Sequence, residues 1–306
     1  MPRIALLIGG TGFAGSHMSD LLSTDYKVIA TGHTVDIRDT AKLQDLIRKT
    51  APDFVANFAS ITTVNESFED PIRTYQIGFL GTLNLLQCLK AIGFTGRMLN
   101  ISSSEVYGYP RSNEFPVRET TALYPMSPYS VSKVATEALC YQWSQTEKFE
   151  IVTVRPFTHI GPRQSERFAI SSFAKQIAQI LLKKKEPLIE VGDLDTTRDV
   201  TDVRDVVHAY KLVLEKGRNG ESYNVCSGKE VSLRSLLDDM VQLARIAATV
   251  KQDERLLRQS EQRRTLGSFE KIREEFGWMP TTPLGHTLQD TVSSWKLKLE
   301  AEDQIL

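Results

Sequence analysis

The amino-acid sequence predicts an α/β protein in which a parallel β-sheet covered by helices is followed by a smaller, mostly helical lobe. Short apolar runs rich in β-branched residues alternate with longer amphipathic stretches through the first two-thirds of the chain. The first run leads into a glycine-rich loop, and the regular alternation stops after about Arg155. We therefore place the first domain at residues 1–160 and the second lobe at 161–306, and we expect segments near 188–216 to return to the first domain.

Each predicted element has its own signal. Apolar runs of strand length end in small or polar residues, and ligands of open α/β sheets bind outside such strand ends. Helical spacing of apolar residues marks the stretches between them, and Ser127 and Pro128 are a suitable N-cap and first-turn proline. The predicted strands are Ile4–Ile8, Tyr26–Ala30, Phe54–Phe58, Met98–Ser102, Ile151–Arg155, Leu188–Val191 and Tyr223–Val225, and the predicted helices include Lys42–Thr50, Pro71–Ile92, Pro128–Lys148, Phe168–Lys184 and Val203–Lys216.

Composition excludes several classes of function. The 306 residues carry 37 basic and 38 acidic side chains, a formal charge of −1, so no overall field attracts nucleic acid or an anionic membrane. Cys88, Cys140 and Cys226 lie far apart, without metal-ligand spacing or a disulfide framework. No segment approaches the roughly 18 apolar residues of a membrane span. We expect a cytoplasmic protein with no metal, no nucleic-acid partner and no membrane partner.

The glycine-rich loop indicates a dinucleotide-binding site. It follows the first strand directly, opens a helix, and repeats glycine every three residues. In that arrangement Gly9 permits a tight turn, Gly12 lets backbone N–H groups approach a pyrophosphate, and Gly15 allows close packing of helix and strand. A purely structural turn is the alternative, but the position between strand and helix favours a Rossmann-type, doubly wound sheet. The loop reads Gly9-Gly10-Thr11-Gly12-Phe13-Ala14-Gly15, and all but Gly10 are predicted cofactor contacts.

The end of the second strand favours NADP(H), although NAD(H) remains possible. It reads Ala30-Thr31-Gly32-His33 and lacks the carboxylate that usually grips the ribose 2′-hydroxyl of NAD. Thr31 or His33 would hydrogen-bond a 2′-phosphate, with Arg38 as a source of charge, but a loop that ignores the ribose is an open alternative. We expect Asp36 and Ile37, at the end of a following short strand, to border the adenine. The remaining predicted cofactor contacts are Phe58, Ala59, Ser60, Pro156, Tyr129 and Lys133, and we expect Lys133 to hold the hydroxyls of the nicotinamide ribose.

Tyr129 and Lys133 are the candidate catalytic pair. They stand four apart on a predicted helix, so both side chains lie on one face. A phenol has an ordinary pKa of about 10. A neighbouring ammonium, together with a positive nicotinamide ring, would favour the phenolate and bring the group into working range. The spacing alone arises often by chance, but Ser103 follows the fourth strand, where its hydroxyl can stabilise a reacting oxygen.

With these residues in hand, the chain resembles the extended short-chain dehydrogenases/reductases from one end to the other. Within that family it is most similar to the GDP-6-deoxy-D-mannose reductases, and the motifs of the second lobe are the more specific. Beside the glycine loop, the motifs are Ser103-Ser104-Glu105-Val106-Tyr107-Gly108, Pro125-Met126-Ser127-Pro128-Tyr129-Ser130-Val131-Ser132-Lys133, Arg155-Pro156-Phe157-Thr158-His159-Ile160-Gly161-Pro162, Phe173-Ala174-Lys175-Gln176-Ile177, Glu186-Pro187, Arg198-Asp199, Thr201-Asp202-Val203-Arg204-Asp205-Val206 and Tyr223-Asn224-Val225-Cys226-Ser227-Gly228.

The resemblance implies an NADP(H)-dependent oxidoreductase that reduces the C4 keto group of GDP-4-keto-6-deoxy-D-mannose, to GDP-D-rhamnose or to its C4 epimer GDP-6-deoxy-D-talose. It implies Ser103, Tyr129 and Lys133 as catalytic residues. It also implies a homodimer, joined by a four-helix bundle that contains the Pro71–Ile92 helix and the Tyr129 helix. The implied substrate-binding residues are Ser104, Glu105, Thr158, Arg163, Lys175, Arg198, Arg258 and Glu261.

Within that set, Arg198 and Arg258 would hold the diphosphate and Glu261 the ribose. Two positions depart from the family pattern: Thr158 stands where asparagine is usual, and Arg163 where glycine is usual. The run from Arg258 to Glu261 also lacks the family's usual proline, which makes the nucleotide assignment less secure than the fold.

Two other functions remain open. One is a sugar-nucleotide dehydratase or epimerase, because Glu105 matches the position of the base in GDP-mannose dehydratases. Against it, the stretch Thr31–Val35 is too short for the arginine-rich cofactor loop of those enzymes. The other is a cofactor-sensing regulator without catalysis, since fold does not fix function. Such regulators usually lose the tyrosine or the lysine, and this chain keeps both.

Overall fold

The structure is a computed structural model that describes residues 2–32, 34–257 and 262–304. Its strands are β1 (Ile4–Ile8), β2 (Lys27–Ala30), β3 (Phe54–Asn57), β4 (Arg97–Ile101), β5 (Glu150–Pro156), β6 (Thr158–Ile160), β7 (Leu188–Val191), β8 (Thr197–Asp202), β9 (Ser222–Val225), β10 (Glu230–Ser232) and β11 (Thr249–Gln252). Its α-helices are α1 (Phe13–Leu22), α2 (Thr40–Thr50), α3 (Val64–Glu69), α4 (Pro71–Tyr75), α5 (Gly81–Ala91), α6 (Pro128–Thr146), α7 (Ala169–Leu181), α8 (Val203–Lys216), α9 (Leu233–Ala244), α10 (Glu270–Phe276) and α11 (Leu284–Asp303). A π-helical turn, Gln76–Leu80, joins α4 to α5.

The first domain is built on a six-stranded parallel sheet with strand order β2-β1-β3-β4-β5-β9. The direction of winding reverses between β1 and β3, which is the position where such sheets bind ligands at their carboxyl edge. This confirms the predicted Rossmann-type, doubly wound sheet.

Both faces of the sheet are covered, which explains why its strands read as continuous apolar runs. Alternate residues of β1 enter different cores: Leu7 belongs to the core that contains Tyr210 of α8, whereas Leu6 and Ile8 belong to the core that contains Leu85 of α5. Because successive side chains of a strand point to opposite faces, one strand anchors helices on both sides.

The second lobe contains two small sheets as well as helices. One sheet has the order β10-β8-β6 and the other pairs β11 with β7. Helices α7, α9 and α11 pack around a core that includes Ile177, Leu236 and Trp295.

The segments near 188–216, for which the sequence predicts a return to the first domain, divide between the two cores. Helix α8 packs on the large sheet and β9 extends it. Strand β7 stays in the second lobe, because Ile189 and Val191 are buried in its core.

The described ranges contain neither a membrane-spanning helix nor a cluster of metal-binding side chains. Within those ranges no helix is both long and apolar enough to cross a membrane. The same residues hold no group of three or more His, Cys, Asp and Glu side chains that could bind a metal ion.

Candidate active site

A cleft of about 480 Å³ lies between the carboxyl edge of the large sheet and the second lobe. It is the meeting point of segments that are far apart in the sequence. The glycine loop, the ends of β3 and β4 and the start of α6 form one side, and residues after β5 and around β8 form the other. Of the predicted site residues, the cleft is lined by Gly9, Gly12, Phe13, Ala14, Gly15, Phe58, Ser60, Ser103, Ser104, Glu105, Tyr129, Lys133, Pro156, Thr158 and Arg198.

The glycine loop has the shape that a pyrophosphate requires. Gly9 has a φ of +73°, and a Cβ atom there would lie 2.9 Å from the backbone nitrogen of Ala59. A Cβ atom on Gly15 would lie 2.7 Å from Gly10 Cα, whereas one on Gly12 would meet only the Gly9 carbonyl oxygen at 3.4 Å. The space beside Gly12 is therefore an open cradle at the start of α1. The N–H groups of a first helical turn lack intrahelical partners, and that of α1 carries no acidic residue.

Thr31 supports this loop instead of facing a cofactor phosphate. Its buried hydroxyl accepts the N–H of Gly9 at 3.1 Å and donates to the carbonyl of Leu7 at 3.3 Å. Its own carbonyl accepts the N–H of Thr11 at 3.2 Å. The predicted contact between the Thr31 hydroxyl and a 2′-phosphate is therefore not supported, because both hydrogen-bonding directions of the hydroxyl are used. His33 lies outside the described residues.

Asp36, Ile37 and Arg38 form a turn where a short strand was expected. The guanidinium of Arg38 binds the carboxylate of Asp36, with Nη2 to Oδ2 at 2.6 Å. Hydrogen bonding from Arg38 lowers the pKa of Asp36 to about 2. Ile37 is buried against Gly81. The charge of Arg38 is thus already paired within this turn, and none of the three side chains lines the cleft.

Phe13 connects the glycine loop to the segment after β5. Its ring stacks on His159, with centroids 5.7 Å apart, and meets His17 edge-on at 5.6 Å. His17 Nε2 lies 2.9 Å from the carbonyl oxygen of Pro162. His159 lines the cleft but was not among the predicted site residues. Its place inside the motif that begins at Arg155 was the available signal.

Tyr129 lies near the start of α6, whose position is fixed by its cap. Ser127 accepts the N–H of Ser130 at 3.1 Å, and the Ser130 hydroxyl accepts the N–H of Ser127 at 2.9 Å. Burial raises the pKa of Tyr129 to about 12; hydrogen bonding to Ser103 opposes that rise and the charge of Glu105 adds to it. The expected lowering of the phenol pKa by its neighbours is therefore outweighed by burial, and the phenol holds its proton at neutral pH.

Lys133 lies one turn further along α6. Its Nζ is 5.6 Å from the centroid of the Tyr129 ring and donates to the carbonyl of Ile101 at 2.7 Å. Burial lowers the pKa of Lys133 to about 8, and the charge of Glu137 opposes that shift. Because a lysine loses its charge as the pH rises through its pKa, the ammonium is the main form only below about pH 8.

Ser103 is positioned by the turn that follows β4. Its hydroxyl accepts the N–H of Glu105 at 3.2 Å and caps the 3₁₀ turn Ser104–Tyr107. The hydroxyl also contacts the phenol of Tyr129. Ser103 and Tyr129 can therefore reach the same reacting oxygen.

The structure brings only some of the expected substrate residues to the cleft. Arg198, Thr158, Ser104 and Glu105 line it, and Arg198 Nη1 donates to the Thr197 carbonyl at 2.8 Å.

Arg163 and Lys175 lie outside the cleft. Arg163 forms an ion pair with Asp20 of α1 at 2.8 Å. Lys175 pairs with Glu166, and its Nζ lies 5.5 Å from the ring centroid of Trp295. Both cations are thus paired with local carboxylates, and their contact with substrate stays a prediction. Arg258 and Glu261 lie outside the described residues.

Several lining residues were not predicted at all. They come from the segment after β3, from the turns that follow β6, β7 and β11, and from α8. They include Thr62, Thr63, Val64, Asn65, Gln164, Arg167, Gly192, Asp193, Tyr210 and Leu256. The polar residues after β3 could have been found from their position behind a parallel strand.

Residues 30–291 match the family model described as GDP-mannose 4,6 dehydratase. The chain belongs to this family. It thereby belongs to the extended short-chain dehydrogenases/reductases, and the resemblance drawn from its motifs is confirmed.

Relatives in this family cover the chain almost completely. A GDP-6-deoxy-D-mannose reductase of Pseudomonas aeruginosa is 40% identical over 99% of this chain and 100% of its own length. The solved structure of RMD from Pseudomonas aeruginosa, complexed with NADPH, has a TM-score of 0.90 and 39% identity, covering 97% of this chain and 99% of that one. A UDP-glucose 4-epimerase of Thermus thermophilus in complex with NAD has a TM-score of 0.86 and 27% identity, covering 96% and 99%.

Proposed function

We propose that this protein is an NADP(H)-dependent reductase of the C4 keto group of GDP-4-keto-6-deoxy-D-mannose, producing GDP-D-rhamnose or its C4 epimer. One observation carries the proposal: Ser103, Tyr129 and Lys133 line the same cleft as the pyrophosphate cradle of the glycine loop. The 40% identity to a GDP-6-deoxy-D-mannose reductase supports the choice of substrate.

The arrangement suits reduction of a ketone. A bound reduced nicotinamide supplies a hydride. The hydroxyls of Ser103 and Tyr129 donate hydrogen bonds to the C4 oxygen, and Tyr129 gives up its proton as charge develops there. Burial keeps the phenol protonated at neutral pH, which is the form that a proton donor requires. The Lys133 ammonium would hold the ribose hydroxyls of the cofactor, and it would stabilise the phenolate that remains after proton transfer.

The cofactor should be the phosphorylated one. The second strand of the sheet ends without a carboxylate, so a 2′-phosphate is not repelled. RMD from Pseudomonas aeruginosa, a structure of the same fold at 39% identity, is complexed with NADPH. We expect kcat/KM for NADPH to equal or exceed that for NADH, measured by absorbance with the same keto sugar. A strong preference for NADH would mean that the turn after β2 leaves no room for the phosphate.

Product identification tests the whole proposal. The purified protein is incubated with GDP-4-keto-6-deoxy-D-mannose and NADPH, and the product is identified by NMR. The expected result is a GDP-6-deoxyhexose whose configuration at C4 separates rhamnose from talose. Conversion of GDP-mannose to a keto sugar would instead favour a dehydratase that uses Glu105. Nucleotide binding without turnover of any keto sugar would favour a regulator.

Arg198 is proposed to bind the diphosphate. It is largely buried and lines the cleft, and its planar guanidinium can donate two parallel hydrogen bonds to phosphate oxygens. We expect Arg198→Ala to raise KM about tenfold or more, equivalent to about 1.4 kcal/mol. Turnover at saturation should change much less, because the diphosphate is remote from C4 and contributes mainly uniform binding.

Arg163→Ala is the matched control. It removes an arginine that lies outside the cleft in an ion pair with Asp20. Its KM should stay within about twofold of wild type, since surface ion pairs contribute little. If the KM of Arg198→Ala is no higher than that of the control, the proposal that Arg198 binds the diphosphate is wrong.

The homodimer is also a proposal. Large apolar side chains are exposed on α4, on the π-helical turn and on α6: Ile72 is 70% exposed, Leu80 50%, Val131 40% and Tyr141 59%. Helices α4 and α6 pack against each other within the chain. A second copy covering these side chains would form the four-helix bundle that the family resemblance implies.

A further inference from the structure

A buried carboxylate lies behind the catalytic lysine. Glu137 follows Lys133 by one turn of α6, and its side chain is 8% exposed. The carboxylate accepts two hydrogen bonds from Arg155 Nε, at 3.0 and 3.1 Å, and one from Nη2 at 2.6 Å. It also accepts a hydrogen bond from the hydroxyl of Ser102. Bringing this charge out of water costs free energy that only close partners can offset.

The contacts of Glu137 reach every element that carries a catalytic residue. Ser102 immediately precedes Ser103 at the end of β4, and Arg155 immediately precedes Pro156, a residue of the cleft, at the end of β5. The carbonyl that accepts the hydrogen bond from Lys133 Nζ belongs to Ile101, one residue before Ser102. Glu137 thus ties the lysine-bearing helix to the strand end that presents the serine.

Arg155 is itself held in place on its other side. Its Nη1 donates to the phenol oxygen of Tyr107 at 3.0 Å and to the carbonyl of Glu119 at 3.1 Å. The Tyr107 hydroxyl donates to Asn224 at 2.7 Å. The position of the Glu137 carboxylate is therefore fixed by a buried network and not by one flexible ion pair.

We propose that Glu137 is a positioning residue of the reaction, whose buried negative charge keeps Lys133 as an ammonium while its hydrogen bond to Ser102 aligns the Ser103 segment. The inference rests on the proposed function, because it presupposes the part of Lys133 in that function. The titratable groups that face Lys133 are Tyr129, Glu137 and Cys140 on its own helix, and Arg155 of β5 faces Glu137. Among them, Glu137 is the carboxylate that opposes the effect of burial on the lysine.

The test is Glu137→Gln, which keeps the size of the side chain and removes its charge. The measurement is kcat/KM as a function of pH, because this ratio reports the ionisation of the free enzyme. In wild type we expect activity to fall as the pH rises through the pKa of Lys133, about 8. In Glu137→Gln that fall should move to lower pH by about one unit, since the lysine loses its opposing charge. The ratio of variant to wild-type activity should therefore be higher at pH 6 than at pH 8.

Glu137→Asp is the matched control, because it retains the charge and shortens the side chain. We expect its activity to be lower than that of wild type at every pH, and to fall at the same pH as in wild type. A Glu137→Gln profile parallel to wild type, lowered equally at every pH, would overturn the proposal and leave Glu137 a structural residue. If Glu137→Gln does not fold, Glu137→Gln/Arg155→Gln removes both buried charges together. A downward shift smaller than about one pH unit is then expected, because the charge of Arg155, which acts on Lys133 with the opposite sign, is removed as well.

Affinity for NADPH, followed by fluorescence across the same pH range, separates this inference from the proposed function. Lys133 is expected to hold the ribose, so NADPH binding should weaken as the pH rises and Lys133 loses its charge. In Glu137→Gln this weakening should begin at a lower pH than in wild type. A wild type that binds NADPH but reduces no keto sugar would contradict the proposed function while leaving this shift testable. If the wild type reduces the keto sugar, and Glu137→Gln shows the same pH dependence of NADPH binding and of activity as the wild type, the inference is contradicted and the proposed function is not.

Discussion

Tyr129→Phe should lower kcat by about 10² to 10⁴, the range that a positioned proton donor contributes. The phenyl ring still fills the space of the phenol beside Lys133, so binding of NADPH should stay within about twofold of wild type. Ser103 cannot replace Tyr129 as the source of the proton that must reach the C4 oxygen, because its hydroxyl is a far weaker acid than a phenol whose conjugate base is stabilised by an ammonium. Steady-state turnover and direct titration of NADPH measure the two effects separately.

Tyr107→Phe is a suitable control for the loss of a buried phenol hydroxyl. Tyr107 is fully buried, and its hydroxyl is bonded to Asn224 and Arg155 in the network behind the site. Its removal should lower thermal stability and affect kcat much less than Tyr129→Phe does. A loss of kcat below about tenfold in Tyr129→Phe would contradict the role of Tyr129 as proton donor.

The parts of the site that could be predicted are those in which short-range spacing determines geometry. Gly9, Gly12 and Gly15 have the expected conformations because a strand, a tight turn and a helix follow one another without interruption. Tyr129 and Lys133 share a helix face because they stand four residues apart. In both cases the backbone alone brings the functional groups to the carboxyl edge of the sheet.

The parts that could not be predicted depend on side chains that meet from distant segments. Arg163 was expected to contact the substrate, yet it pairs with Asp20, 143 positions earlier in the chain. The Thr31 hydroxyl looked available too, yet the loop that begins at Gly9 uses it. A sequence shows that a cation or a hydroxyl is present, but it does not show which group within the protein already forms an ion pair or a hydrogen bond with it.

The Glu137 network is the opposite case, a set of contacts beside the site that the sequence did not predict. Glu137 occupies an ordinary helix position, and nothing in the local pattern distinguishes it from a solvent-exposed glutamate. Only the parallel pairing of β4 with β5 brings Ser102 and Arg155 against it. Its burial is therefore a property of the assembled sheet and helix, and so is its effect on Lys133.

Asp199→Asn should destabilise the folded protein by about 2–5 kcal/mol, the largest effect on stability that we expect from a single isosteric change. The Asp199 carboxylate has no exposed surface and accepts four hydrogen bonds. Two come from the backbone N–H and the hydroxyl of Ser227, at 2.7 and 2.6 Å, and two from the N–H groups of Gly228 and Gly267, at 3.0 and 3.1 Å. These contacts fasten two loops to β8 beside the cleft.

An asparagine of the same shape cannot replace this carboxylate. Its carbonyl oxygen can accept about two of these hydrogen bonds, and its NH₂ group would face the remaining donors. Each buried donor left without a partner costs about 1–3 kcal/mol. We expect the thermal midpoint, measured without nucleotide so that binding does not mask the loss, to fall by at least about 5 °C.

Asp195→Asn is the control for this prediction. Asp195 is in the same part of the chain, but its side chain is 73% exposed and forms only a surface ion pair with Arg234 at 3.3 Å. Exposed pairs contribute about 0–1 kcal/mol, so the midpoint of this variant should stay within about 2 °C of wild type. If Asp199→Asn were as stable as this control, the two loops would have to be held by other contacts, and the carboxylate would not be what fixes the wall of the cleft next to Arg198.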